Sequence, residues 1–206
     1  MKNIKHYFIS GCLLFLAGCG KPPRNLYSDQ DDPGLSRLTY YGYNIATNYI
    51  NGVAYVNPYN DPNYYGFGGG NANPSLIKYL GKGATDTLAL SWPIEENTQS
   101  PVSSAYINLL LIVPKNFTAS NFVALSGQRF TNNTNDISVS SNYYFYNSNF
   151  YDSTALVGTS NIYFIDIQER TDSAISMTGL FNGIVGNDTI TNGRFDFYIP
   201  KALIRF

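Results

Sequence analysis

Histidine and cysteine are nearly absent from this 206-residue sequence. The one histidine is His6 and the two cysteines are Cys12 and Cys19, so residues 20–206 contain neither residue type. That stretch therefore has no Ser-His-Asp or Cys-His nucleophile, no His- or Cys-ligated zinc and no disulfide of its own. These absences do not exclude a glycosidase that uses a pair of carboxylates. However, no local sequence signature marks such a pair among the three glutamates. We predict that the protein is not an enzyme and uses no metal or cofactor.

Charge is also scarce, and it is close to balanced. Charged residues make up 13% of the chain and aromatic residues 16%, and Asn, Ser, Thr, Gly and Tyr dominate the polar remainder. This mixture favours strands and turns over helices. Without Lys2 and Lys5 of the N-terminal leader, the 13 basic residues become 11, against 14 acidic ones. The composition predicts an all-β protein. Binding of nucleic acid requires a basic surface, so we predict no nucleic-acid partner.

The N-terminal leader has the order of a lipoprotein signal peptide. Lys2 and Lys5 precede an apolar run, residues 7–16, that is too short to span a bilayer, and two small residues then lead to Cys19. The stretch 16–19, LAGC, resembles the lipobox of bacterial lipoproteins. The resemblance implies cleavage after residue 18, a diacylglyceryl group on the Cys19 thiol and usually an acyl group on the new amino terminus. Two or three acyl chains hold a protein stably on a membrane.

Residues 19–37 are predicted to be a flexible lipidated tether, because they contain consecutive prolines, several charges and little apolar periodicity. Gly20 stands where some bacterial lipoproteins carry an aspartate for inner-membrane retention, so the lipoprotein resemblance implies the outer membrane. Asp29, Asp31 and Asp32 form an acidic patch. Two interpretations are equally open: an export signal to the cell surface, or a solvated linker that repels anionic lipid. The domain is expected to face the periplasm or the cell surface.

Residues 38–206 are predicted to form one antiparallel β-sandwich, Ig-like or jelly-roll-like. Asn51-Gly52 between strand formers predicts a hairpin whose two central residues have positive φ. Strands are predicted over 76–80, 86–93, 105–113, 137–146 and 155–157, and 117–125 fits either a strand or a short helix. The segments 161–169, 174–185 and 189–199 predict an antiparallel meander, in which Gly179 and Gly183 indicate bulges or strong twist.

The segment 57–75 is predicted to be a long loop, because its prolines and glycines do not suit a sheet interior. Long loops in compact domains are often functional, and exposed aromatic rings can stack on sugars. The alternative is that these rings cover a sheet edge and that the single tryptophan caps the core. The candidate ligand-binding residues are Tyr59, Tyr64, Tyr65, Phe67 and Trp92.

The two ends of the chain resemble small Bacteroidota lipoproteins of unknown function. The resemblance is carried by the lipobox, the Asn51-Gly52 hairpin and the blocks 175–181, ISMTGLF, and 190–196, ITNGRFD. It implies a β-sandwich on a lipid tether and no catalytic residues. Three hypotheses follow: a module that binds a glycan or another extracellular ligand, a structural or assembly accessory of an outer-membrane protein complex, and a carboxylate-dependent hydrolase. The first is preferred and the third is the weakest.

Overall fold

The computed structural model describes residues 29–40, 42, 44–57, 73–96, 103–131, 139–147 and 156–206. Strands account for most of these residues, so the predicted all-β class is confirmed. The elements in chain order are β1 Ile45–Ile50, β2 Val53–Val56, β3 Ser75–Tyr79, β4 Thr85–Glu96, β5 Ser103–Pro114, α1 Ala119–Val123, β6 Arg129–Phe130, β7 Val139–Asn147, β8 Leu156–Glu169, β9 Ile175–Val185, β10 Asp188–Ile199, a 3-10 helix Lys201–Leu203 and β11 Ile204–Arg205.

All of the described strands belong to one curled sheet. Their order is β11-β3-β4-β2-β1-β10-β9-β8-β7-β5, with β6 paired to β8, and β5 also pairs with β4. The pairings therefore return to β4 and enclose a single core. The sheet is mixed, because β11 runs parallel to β3 whereas the other pairs are antiparallel. Since the pairing is continuous, the finer prediction of a sandwich, Ig-like or jelly-roll-like, is not confirmed.

The strongest local predictions are confirmed. Asn51 and Gly52 have φ values of 50° and 82° and join β1 to β2. The C-terminal meander is formed by β8, β9 and β10. The ambiguous segment 117–125 contains the short helix α1, whose first turn is capped reciprocally by the side chains of Thr118 and Asn121. Its Phe122 is fully buried against the sheet.

Two bulges shape the meander, and each lies beside one of the predicted glycines. The β8–β9 pairing shifts between Phe164 and Asp166, next to Gly179. The β10–β9 pairing shifts after Ile190, which is opposite Gly183. The first bulge breaks the alternation of β8 beyond Phe164. Ile167 is 3% exposed and joins the core, whereas Asp166, which strict alternation from Phe164 would place on the core face, is partly buried.

The core is dominated by aromatic rings around Trp92, which is 0% exposed. Its ring centroid lies 5.3 Å from that of Phe181, 5.9 Å from that of Phe195 and 5.2 Å from that of Phe197. Gly179 lies under this cluster with no space for a side chain. A Cβ there would be 2.4 Å from Cζ of Phe195 and 2.7 Å from the carbonyl oxygen of Tyr163.

We expect Gly179→Ala to lower the free energy of unfolding by about 1–3 kcal/mol, because the added methyl group overpacks a site bounded partly by backbone. Urea unfolding measures the change. Gly83→Ala is the matched control, since a Cβ at Gly83 meets no atom within 4 Å. Equal unfolding midpoints for the two variants would contradict this account of the core.

Candidate functional site

The described residues contain one of the sequence-predicted site residues, Trp92. Its burial in the aromatic core leaves no ring face for a ligand, so Trp92 is not part of a binding surface. This outcome agrees with the alternative in which the tryptophan serves the core. The other predicted site residues lie outside the described residues: Cys19, Tyr59, Tyr64, Tyr65 and Phe67.

A cleft lies on the outer face of the meander, opposite the aromatic core. Its volume is about 570 Å³, within the roughly 300–1,000 Å³ typical of ligand sites. A row of cross-strand neighbours crosses its floor from β6 to β10, because each residue of the row is paired with the next. The members of this floor row are Arg129, Tyr163, Leu180 and Arg194.

Three asparagines lie beside the floor row. Asn161 is paired with Asn182 across β8 and β9, and its Nδ2 donates to Oδ1 of Asn182 at 3.1 Å. This bond leaves Oδ1 of Asn161 and Nδ2 of Asn182 as an acceptor and a donor at the exposed surface. Asn192 has φ 51° in the irregular part of β10, and its Nδ2 donates to Oδ1 of Asp32 at 2.7 Å. Asn192 thus adds a third amide to the lining of the cleft.

One wall of the cleft includes Asp32. Asp32 belongs to residues 29–36, which we call the N-terminal strap. Arg194 holds it by two ion pairs, to Asp29 at 2.5 Å and to Asp32. Leu35 of the strap is 2% exposed, and the hydroxyl of Tyr49 donates to the carbonyl oxygen of Pro33 at 2.8 Å. The last part of the predicted flexible tether is therefore docked on the domain. The sequence pattern did not predict this docking, because Leu35 is the one buried leucine of the strap and a single apolar residue gives no periodic signal.

The strap's docking depends on ionised carboxylates. The hydrogen bond from Arg194 holds the pKa of Asp29 below its ordinary value of 3.8, helped by the Asp31 backbone N–H. A carboxyl whose pKa is lower in the folded than in the unfolded chain stabilises the fold above the unfolded pKa. The stabilisation is lost as the pH falls below about 3.8 and through the folded value. The docked strap is therefore expected to persist at neutral pH and to release in strong acid.

The two arginines of the floor row have different surroundings. Arg194 is mostly buried and contacts two carboxylates. Arg129 is exposed, and its guanidinium carbon lies 4.4 Å from the centroid of the Tyr163 ring. Such a cation–π contact restrains the guanidinium and keeps its N–H groups available. Arg129 and the asparagines were not predicted as site residues. The alternation of Asn161 with buried Ile162 was the signal that could have identified one of them.

The cleft provides recognition groups and few reactive ones. Among the described residues that line it, Asp32 alone carries a carboxylate, and Arg194 and Asn192 already bind that group. The described part of the chain holds no cluster of three or more side chains suited to a metal ion. It also contains no helix that is long and apolar enough to cross a membrane. The recognition groups of the cleft are the asparagine amides, the Arg129 guanidinium with the Tyr163 ring, and the exposed Leu180.

Comparison of the chain with protein-family models, with curated proteins and with solved structures gives no match.

We expect Arg194→Gln to release the strap, because both strap carboxylates lose their charge-assisted hydrogen bonds. Amide hydrogen exchange should become at least roughly tenfold faster at Asp29 and Leu35, whose N–H groups bond to the carbonyls of Leu35 and Asp32. Arg205→Gln, which removes an exposed arginine elsewhere, is the control. Unchanged protection in the Arg194 variant would show that the ion pairs do not hold the strap.

Proposed function

We propose that this protein is a lipid-anchored outer-membrane lipoprotein that binds a glycan, or another extracellular ligand, without transforming it. The observation that carries the proposal is the cleft, in which the Asn161–Asn182 amide pair lies beside Tyr163 and Leu180 on a hydrogen-bonded sheet. Amides both donate and accept, which matches neighbouring sugar hydroxyls. The exposed leucine suits the apolar face of a sugar, and the Tyr163 ring holds the Arg129 guanidinium beside it. A sheet holds these groups more firmly than a loop does.

The carboxylates of the cleft favour binding over hydrolysis. Glycosidases need two carboxyl groups, about 5–9.5 Å apart, on either side of the scissile bond. Asp32 is the single carboxylate among the described cleft residues, and its oxygens accept hydrogen bonds from Arg194 and Asn192. An acid held in this way is poorly suited to donate a proton or to attack a sugar. A carboxylate-dependent hydrolase is therefore the weakest hypothesis.

Residence in the cell envelope is supported by the sequence features of the leader. The lipobox at residues 16–19 and the resemblance to Bacteroidota lipoproteins favour a lipid anchor on Cys19. The membrane is then a partner through the acyl chains, and the domain faces the periplasm or the cell surface. A glycan-binding domain fits either position, because both sides of an outer membrane carry polysaccharide.

An assembly accessory of an outer-membrane complex is the second candidate. Two large apolar side chains on the outer face of β9 favour it: Leu180 is 38% exposed and Ile184 is 56% exposed. A protein partner would bury both, together with Asn182 between them. The two candidates differ in their ligand, since an accessory would bind no free oligosaccharide.

We expect Asn182→Ala to weaken oligosaccharide binding at least about tenfold, equivalent to roughly 1.4 kcal/mol, because it removes a donor that faces the cleft. Binding of an immobilised oligosaccharide panel by the full-length acylated protein in detergent provides the measurement. Asn116→Ala, at an exposed turn outside the cleft, is the matched control. A second variant, with Tyr64, Tyr65 and Phe67 changed to Ala, tests the loop separately.

The outcomes distinguish glycan binding in the cleft, glycan binding by the loop, and an assembly accessory that binds no glycan. Loss of binding in the Asn182 variant alone supports the cleft, whereas loss in the loop variant alone assigns binding to the loop. If the unmodified protein binds no oligosaccharide, the glycan proposal fails. Crosslinking from position 184 in intact cells then tests the assembly accessory, which predicts a crosslinked outer-membrane protein.

We expect Cys19→Ala to abolish acylation and leave an uncleaved or mislocalised precursor, because the thiol that receives the lipid is absent. Metabolic labelling with a radioactive fatty acid and fractionation of membranes measure both effects. Cys12→Ala is the control, since Cys12 lies in the segment expected to be removed. Normal labelling and membrane association of the Cys19 variant would overturn the lipid anchor.

A further inference from the structure

We infer that the cleft selects anionic glycans, with Arg129 binding a carboxylate or sulfate group on the sugar. This inference rests on the proposed function and names the ligand class of the same cleft. It comes from a difference between the two arginines of the floor row. They lie at opposite ends of the row, separated by Tyr163 and Leu180, about three strand spacings or roughly 14 Å apart.

At the strap end of the cleft, the positive charge of Arg194 is already balanced by carboxylates. Arg194 lies between Asp29 and Asp32, so one positive charge is met by two negative ones. Its Nη1 also donates to the carbonyl oxygen of Ser36 at 3.2 Å. An anionic ligand group at this end would displace ionised carboxylates and would be repelled by them. Arg194 therefore binds the strap and is not available to an anionic ligand.

The β6 end carries the opposite charge. Arg129 is exposed, and within the described part of the chain its guanidinium has no carboxylate partner. Tyr163 underneath restrains the side chain, so less conformational entropy is lost when a ligand binds. A guanidinium presents N–H donors in a planar fork that matches the two oxygens of a carboxylate or sulfate. A neutral sugar would accept fewer hydrogen bonds from this guanidinium.

The charges at the two ends therefore orient the ligand. An anionic substituent is attracted to Arg129 and repelled from the strap carboxylates, while the neutral part of the sugar lies along Leu180 and Asn182. Because the Arg129 end is exposed, the attraction is screened by salt. Affinity for an acidic glycan should consequently fall as the ionic strength rises, and affinity for a neutral one should not.

The test uses pairs of oligosaccharides that differ only in charge. Each uronic-acid oligosaccharide of a panel is compared with its carboxyl-reduced, neutral derivative, and sulfated oligosaccharides are compared with their desulfated forms. The full-length acylated protein should bind the anionic member of a pair at least about tenfold more tightly. Arg129→Gln should abolish that preference, and Arg129→Lys should retain part of it, because lysine keeps the charge without the fork. Arg170→Gln, in the β8–β9 turn, is the control for loss of an exposed arginine.

The outcomes separate the selection of anions from glycan binding itself. Equal binding of charged and neutral members overturns the inference about Arg129 and leaves the glycan-binding proposal standing. Binding of neither member overturns the proposed function. If Arg129→Gln weakens both members equally, the arginine has only a structural role at Tyr163, and the selection of anions is wrong. Thermal unfolding of each variant shows whether the fold is retained.

Discussion

The packing of Trp92 against the meander is the contact on which the rest of the structure depends. Trp92 lies on β4, which is separated from β9 and β10 in the pairing order by β2 and β1. Its contacts with Phe181 and Phe195 therefore require the sheet to curl until distant strands face each other. Once these rings occupy the inner face, strand alternation sends Leu180 and Arg194 to the outer face. The position of the cleft follows from the core.

Glycines and a register shift in β10 lie where the aromatic core and the cleft are closest in sequence. Gly193, like Gly179, lies directly under an aromatic ring, since a Cβ there would come within 2.7 Å of the Phe181 ring. The adjacent register shift in β10 gives Asn192 a positive φ and brings its amide to the strap. Close packing inside the sheet and a polar group outside it thus lie at adjacent positions of β10.

Most of the strands were predictable from local sequence, whereas the continuous mixed sheet and most of the cleft were not. The Asn51-Gly52 hairpin and the meander depend on neighbouring residues, which a sequence displays directly. The cleft depends on registers between strands, which pair Tyr163 with Arg129 and with Leu180, and Leu180 with Arg194. Docking of the strap depends on Asp29 finding Arg194, 165 positions away in the chain. Pairings of that range leave no periodic signal, so Arg129 and Arg194 looked like ordinary surface charges.

The strap joins the cleft to the predicted lipid anchor, and this gives its acidic residues a third interpretation. Asp29 is ten positions beyond Cys19, a stretch that spans at most roughly 36 Å when fully extended. Asp32, three positions later, is already part of the cleft wall. If Cys19 carries the lipid, the wall that meets a ligand is also the segment that leads to the membrane. Loss of the Arg194 ion pairs would then add the strap to the chain segment between Cys19 and the domain.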